Sequence, residues 1–153
     1  MELEPDLLRA WDDIYWSTHQ VWIHPMWWVG MPAVMKGFFD RLFLPGLVFK
    51  HHTTGNTQGL LTGKTARILV TMGDLSPQVH QEIYQSTGII PLKDGILAYC
   101  GVQTEAVDTI GPLNDFSQQD IQQLLIQVAH AAKKDINRYT KIVFQKNKQQ
   151  TTK

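Results

Sequence analysis

The sequence is poor in several things that would have pointed elsewhere. It holds a single cysteine, Cys100, so an internal disulfide is excluded, and no CxxC pair or Cys/His ladder is present to build a zinc site. That pattern fits a reducing, cytoplasmic setting. It has no excess of charge of either sign, with 14 Lys and Arg against 14 Asp and Glu, so no broad field exists to hold nucleic acid or an anionic membrane surface. It has no apolar run long enough to span a bilayer, and its first residues, MELEPDLLRAWDD, are acidic where a secretory signal is basic. A soluble protein is expected, without a transmembrane segment. No repeat or low-complexity linker divides the chain, and 43% hydrophobic content over 153 residues suffices for one packed domain.

What is present is unevenly placed. All five tryptophans, at positions 11, 16, 22, 27 and 28, fall near the N-terminus. Leu7, Leu8, Trp11, Ile14 and Tyr15 recur at helical spacing behind Pro5, which predicts a helix from Asp6 to Trp16. Gln20-Val21-Trp22-Ile23-His24, stopped by Pro25, reads as a buried strand. Pro32 opens a second helix whose Val34, Met35, Phe38, Phe39, Leu42 and Phe43 form an apolar face until Pro45-Gly46. The polar, unperiodic stretch from Lys50 to Gly59 suits an exposed loop or lid.

Further strands are expected at Ala66–Thr71 and Thr104–Ile110, while Ile96–Val102 fits either a helix end or a strand. Ser76 is placed to cap a short helix from Pro77. Ser117 with Asp120 makes a capping box before the helical pattern of Ile121, Leu124, Leu125, Val128, Ala132 and Ile136. Residues 1–144 are therefore expected to form one domain, and the polar residues 145–153 a frayed tail. Alternation of helix and strand is the mark of an α/β fold with a parallel sheet.

In such sheets ligands bind beyond the carboxyl ends of the strands, where helix N-termini present free N–H groups. The run from His24 to Arg41, HPMWWVGMPAVMKGFFDR, joins a strand to a helix at such a point. Its adjacent tryptophans suit either a flat ligand pocket or a plug for the sheet end. This run, followed by LFLPGLVF, resembles the signature of the flavodoxin-like NAD(P)H dehydrogenase (quinone) family, which includes the modulator of drug activity B and potassium-efflux ancillary flavoproteins. Leu61–Gly73, Leu97–Val102 and Thr109–Pro112 are similar to later landmarks of the family, so the resemblance covers roughly residues 6 to 135.

The resemblance implies a flavodoxin-like parallel sheet with helices on both faces. It implies strands 3-4-5 of the usual 2-1-3-4-5, the chain being N-terminally truncated and lacking the first strand, phosphate loop, helix and second strand. It implies hydride transfer from NAD(P)H through FMN or FAD to a quinone, with no protein nucleophile and no metal. Pro25, Met26, Trp27 and Trp28 would run along the flavin ring. Thr71, Met72, Gly73 and Asp74 would border its other side, and Phe49 and His51 would face the nicotinamide or quinone. His80 and Tyr84 are further candidates beside the ring. A homo-oligomer such as a homodimer is expected, because a missing first strand leaves Val21-Trp22-Ile23 as an apolar edge. The alternative of another class is a catalytically silent fragment or interaction module of the same fold that does not hold flavin.

Overall fold

The computed structural model describes residues 3–53 and 55–150. It contains two compact units, Met1–Asn114 and Asp115–Lys153.

In the first unit α1 (Pro5–Trp16) leads into β1 (His19–Pro25), followed by α2 (Ala33–Leu42). A short pair, β2 (Phe49–His51) and β3 (Thr57–Gly59), precedes β4 (Thr65–Thr71). Next come α3 (Pro77–Glu82), a π-helical segment Pro91–Ala98 and β5 (Gln103–Ile110). The main sheet is parallel in the order β1-β4-β5, as a flavodoxin-like arrangement of consecutive strands requires.

Local rules account for most of these elements. Pro5 occupies the first turn of α1, and Pro32 stands at the N-cap of α2. Ser76 caps α3 by accepting a bond from the Val79 N–H at 3.2 Å. Trp22 meets Phe39 at 4.9 Å between ring centroids, and Phe38 and Phe43 complete the aromatic contact between β1 and α2. Ile68, Val70, Leu42, Leu61, Leu92 and Leu97 form the middle of the core, each fully or almost fully buried.

Two expectations need correction. β1 is not buried on both faces: Gln20 and His24 are covered on the side of Trp22, whereas Val21 and Ile23 are 53% and 62% exposed. Within this unit α2 packs on only one side of the strand. Lys50–Gly59 is no open loop, because β2 and β3 pair antiparallel, with Phe49 opposite Gly59 and His51 opposite Thr57. The side chains reinforce the register, His51 Nδ1 lying 2.9 Å from Thr57 Oγ1 and His52 Nε2 3.1 Å from Gln58 Oε1. At the base of this hairpin, a Cβ on Gly59 would lie 2.3 Å from the Cys100 carbonyl carbon, so glycine lets the two backbones touch.

Of the two alternatives for Ile96–Val102, the helix end is the one that forms: the segment closes the π-helical stretch and turns into β5. Leu92 and Leu97, five apart, are both fully buried, a spacing suited to i→i+5 bonding and invisible to a search for 3.6-residue periodicity. In the second unit α4 runs from Gln118 to Gln150. The capping box at its start is formed: Ser117 Oγ accepts from the Asp120 N–H at 3.2 Å, and Asp120 Oδ2 accepts from the Ser117 N–H at 2.9 Å.

Cys100 is 2% exposed, and burial pushes its thiol up from an ordinary 9.0 to about 11. A raised thiol means that the folded chain holds its proton more tightly than the unfolded one. The associated stability is complete below pH 9 and is lost as the pH rises toward 11. We expect a maleimide at pH 8 to label the native chain roughly a hundredfold more slowly than the chain in denaturant, since the thiolate is the nucleophile. Equal rates would place Cys100 at the surface.

Candidate functional site

The three parallel strands end at one level. Pro25 pairs with Thr71, and Thr71 with Ile110. The hydrogen-bonded ladder continues past the strands, from Met26 N to Thr71 O at 2.7 Å and from Met72 N to Ile110 O at 2.8 Å. The segment after β5 is then tied to the one after β4, with Leu113 N donating to Met72 O at 2.9 Å and Asn114 N to Gly73 O at 3.1 Å. Gly111 makes this approach possible, because a Cβ there would fall 2.6 Å from Leu75 O.

Between these segments lies a cleft of about 580 Å³, a size typical of small-molecule sites. All eight residues expected along a cofactor ring line it: Pro25, Met26, Trp27 and Trp28 from one segment, Thr71, Met72, Gly73 and Asp74 from another. Val29 and Leu75 extend these two walls. Tyr84, Leu113 and Asn114 complete the lining. The last two are missed by a reading of the sequence, although the Gly111-Pro112 turn just before them is a signal that the chain doubles back there.

The first wall is a strained turn. Trp27 N donates to Gly30 O at 2.9 Å and Gly30 N to Trp27 O at 3.0 Å, with Trp28 and Val29 between them at φ 52° and 57°. Two positive φ values inside such a pair of bonds define a type I′ turn. The turn throws the Trp28 side chain out of the protein, where it is fully exposed, and leaves Trp27 61% exposed. The adjacent tryptophans therefore do not plug the end of the sheet. The polar lip opposite is made by Asp74, whose Oδ1 accepts a bond from Asn114 Nδ2. The Gly73 and Asp74 N–H groups make no hydrogen bond among the described residues.

The other candidates lie elsewhere. His80 is 1% exposed, and burial holds its imidazole below the ordinary range; it is not part of the lining. Phe49 and His51 pack edge to face at 5.2 Å, and Phe49 meets Tyr99 at 5.1 Å. The hairpin that carries them is joined to the segment before β5 by Leu61 N donating to Cys100 O at 2.9 Å. They thus stand at the opposite pole of the sheet, roughly 20 Å from the cleft at the rise of a strand, and do not line it.

Comparison with known proteins agrees with this fold. The family described as "Flavodoxin-like fold" matches residues 4–143. An "Uncharacterized NAD(P)H oxidoreductase" from Haemophilus influenzae is 28% identical over 97 residues, which cover 60% of this chain and 45% of that protein. An "FMN-dependent NADH:quinone oxidoreductase 2" from Pseudomonas fluorescens is 29% identical over 126 residues, 79% of this chain and 59% of the relative. The chain thus spans about half the length of these curated relatives. The solved structure of an NAD(P)H:quinone oxidoreductase from Methanothermobacter marburgensis superposes with a TM-score of 0.72 at 18% identity, covering 86% of this chain and 65% of the other. At that identity the likeness concerns the fold.

The strain at Val29 is measurable. A β-branched residue at positive φ costs about 1–2 kcal/mol, of which glycine would return part after its own entropy loss of about 0.5–1 kcal/mol. Val29→Gly should therefore raise the unfolding free energy slightly, by up to about 1 kcal/mol. A clear loss in denaturant melts would mean that the side chain contributes more packing than strain.

Proposed function

The chain belongs to the flavodoxin-like fold family, and on that premise we propose that it serves flavin-dependent oxidation of NAD(P)H, with a quinone as the acceptor. The observation that carries the reading is the cleft at the carboxyl ends of the strands, with indoles on one wall and free backbone N–H groups on the other. The name of the Pseudomonas relative supports FMN over FAD as the nucleotide.

The donor set suits the ring of a flavin. Trp27 and Trp28 offer flat apolar faces, and the N–H groups of Gly73 and Asp74 offer fixed donors for the electron-rich edge of a reduced ring. None of the lining residues is Lys or Arg, so what these side chains recognise is a planar heterocycle and not a phosphate. A bound flavin would supply the two-electron chemistry itself. The protein's part is to hold the planar ring, shield it from water on the indole side and keep the polar lip in place through the Asp74–Asn114 bond. Pro25, Met26, Thr71 and Met72 form the floor, fixed by the strand ladder.

Phe49 and His51 enter the same proposal as substrate contacts. Being remote from this chain's own cleft, they would face the ring held by another copy, which makes a homo-oligomer part of the reading. Val21 and Ile23, exposed on β1, are apolar surface available to such an assembly. Sedimentation velocity should find a dimer or larger species at micromolar concentration; a monomer throughout would remove Phe49 and His51 from the site.

Ring binding is tested by titrating lumiflavin, which lacks the phosphate, against tryptophan fluorescence. Loss of two stacking faces, each contributing about 0.5–1.5 kcal/mol, should weaken binding by at least about tenfold in the Trp27→Ala, Trp28→Ala double variant. His51→Ala should leave ring affinity within about twofold while changing the substrate steps. Unchanged quenching and affinity in the double variant would take the loop out of the site.

A further inference from the structure

Two turns border the cleft, and both adopt a conformation poorly suited to their sequences. The first spans Trp27 to Gly30. In the second, Thr87 N donates to Tyr84 O at 2.9 Å across Gln85 and Ser86, at φ 51° and 58°. This is again the geometry of a type I′ turn, which sequences ordinarily fill with Asn-Gly or Gly-Gly. Here all four central residues carry a side chain. Strain of this kind persists only where the surroundings over-determine it.

The contact between the turns does so. Gly88 directly follows the second turn, and a Cβ on it would lie 2.7 Å from Met26 Cε, 3.1 Å from Met26 Sδ and 3.0 Å from Val29 O. The methionine tip can yield, but the Val29 carbonyl is backbone of the first turn. Lack of space, and not an unusual φ, is what makes a side chain at this position costly. Met26, just before the first turn, and Val29 within it line the cleft, as does Tyr84 at the start of the second. The place where the turns touch thus governs how far apart two of the cleft's walls stand.

We propose that Gly88 is a positioning residue whose missing side chain seats the second turn on Met26 and Val29 and so sets the width of the cleft offered to a planar ring. The proposal rests on the reading of the cleft as a ring site. A side chain at position 88 moves Val29 outward, and with it Trp28, because both lie between the mutual bonds of Trp27 and Gly30.

The test uses the 153-residue chain with Gly88→Ala, alone and combined with Met26→Ala. Amide hydrogen exchange is followed without ligand, and lumiflavin binding is followed separately. In Gly88→Ala the Trp27 and Gly30 amides should exchange at least about tenfold faster, while those of Ile68 and Val70 in β4 keep their protection. Lumiflavin affinity should fall by roughly tenfold, and Met26→Ala in the same chain should restore part of the lost protection. Unchanged exchange at Trp27 and Gly30 overturns the proposal. So does a loss shared equally by β4, which marks general destabilisation, or faster exchange with affinity kept within about twofold. A wild-type chain that fails to bind lumiflavin would refute the ring site itself, and the exchange arm would still decide whether Gly88 couples the turns.

Discussion

Everything at the cleft depends on three parallel strands ending in register. Pro25, Thr71 and Ile110 stand side by side, and the ladder runs on through Met26, Met72, Leu113 and Asn114. Parallel pairing places the exits of successive strands on one edge, but it does not by itself hold the following segments together. Here backbone bonds do, and Gly111 permits them by leaving room for the Leu75 and Met72 carbonyls. The floor of the site is therefore main chain, insensitive to the identity of most side chains. Chemistry is left to the turns that rise from it.

Those turns divide the work by polarity. The Trp27–Gly30 turn presents indoles outward at the cost of left-handed backbone, and the Gly73–Asp74 segment presents N–H donors beside a carboxylate held by Asn114. A flat, electron-rich ring with a polar edge would meet both. Aromatic residues used elsewhere in the unit do something different: Trp22 is consumed in packing against Phe38, Phe39 and Phe43, which fixes α2 on β1. The same residue type thus serves as core in β1 and as a surface face only a few residues later, the difference being set by the turn.

Much of this was legible in the sequence where a short-range rule governs. Pro5, Pro32, Ser76 and the Ser117/Asp120 box mark helix starts that the structure forms, and the run from Pro25 to Trp28 marks one wall of the cleft. Illegible features depend on partners distant in sequence. The β2–β3 hairpin owes its place to the contact of Gly59 with Cys100, 41 positions on, and nothing in Lys50–Gly59 taken alone announces it. Asn114 reaches the cleft only because its N–H finds Gly73. Phe49 and His51, expected by resemblance to face the nicotinamide or quinone, stand far from this chain's own cleft because that hairpin is anchored before β5. The π-helical segment escaped because its buried leucines follow a period of five.

The proposed site seats a planar heterocycle against the Trp27–Trp28 turn. The five tryptophan indoles provide a direct readout, since each gives its own N–H signal in a nitrogen-15 spectrum. On addition of lumiflavin the signals of Trp27 and Trp28 should shift, while those of Trp11, Trp16 and Trp22, all in α1 and β1 away from the cleft, should stay in place. Shifts confined to Trp11 and Trp16, or no shift at a saturating concentration, would contradict it.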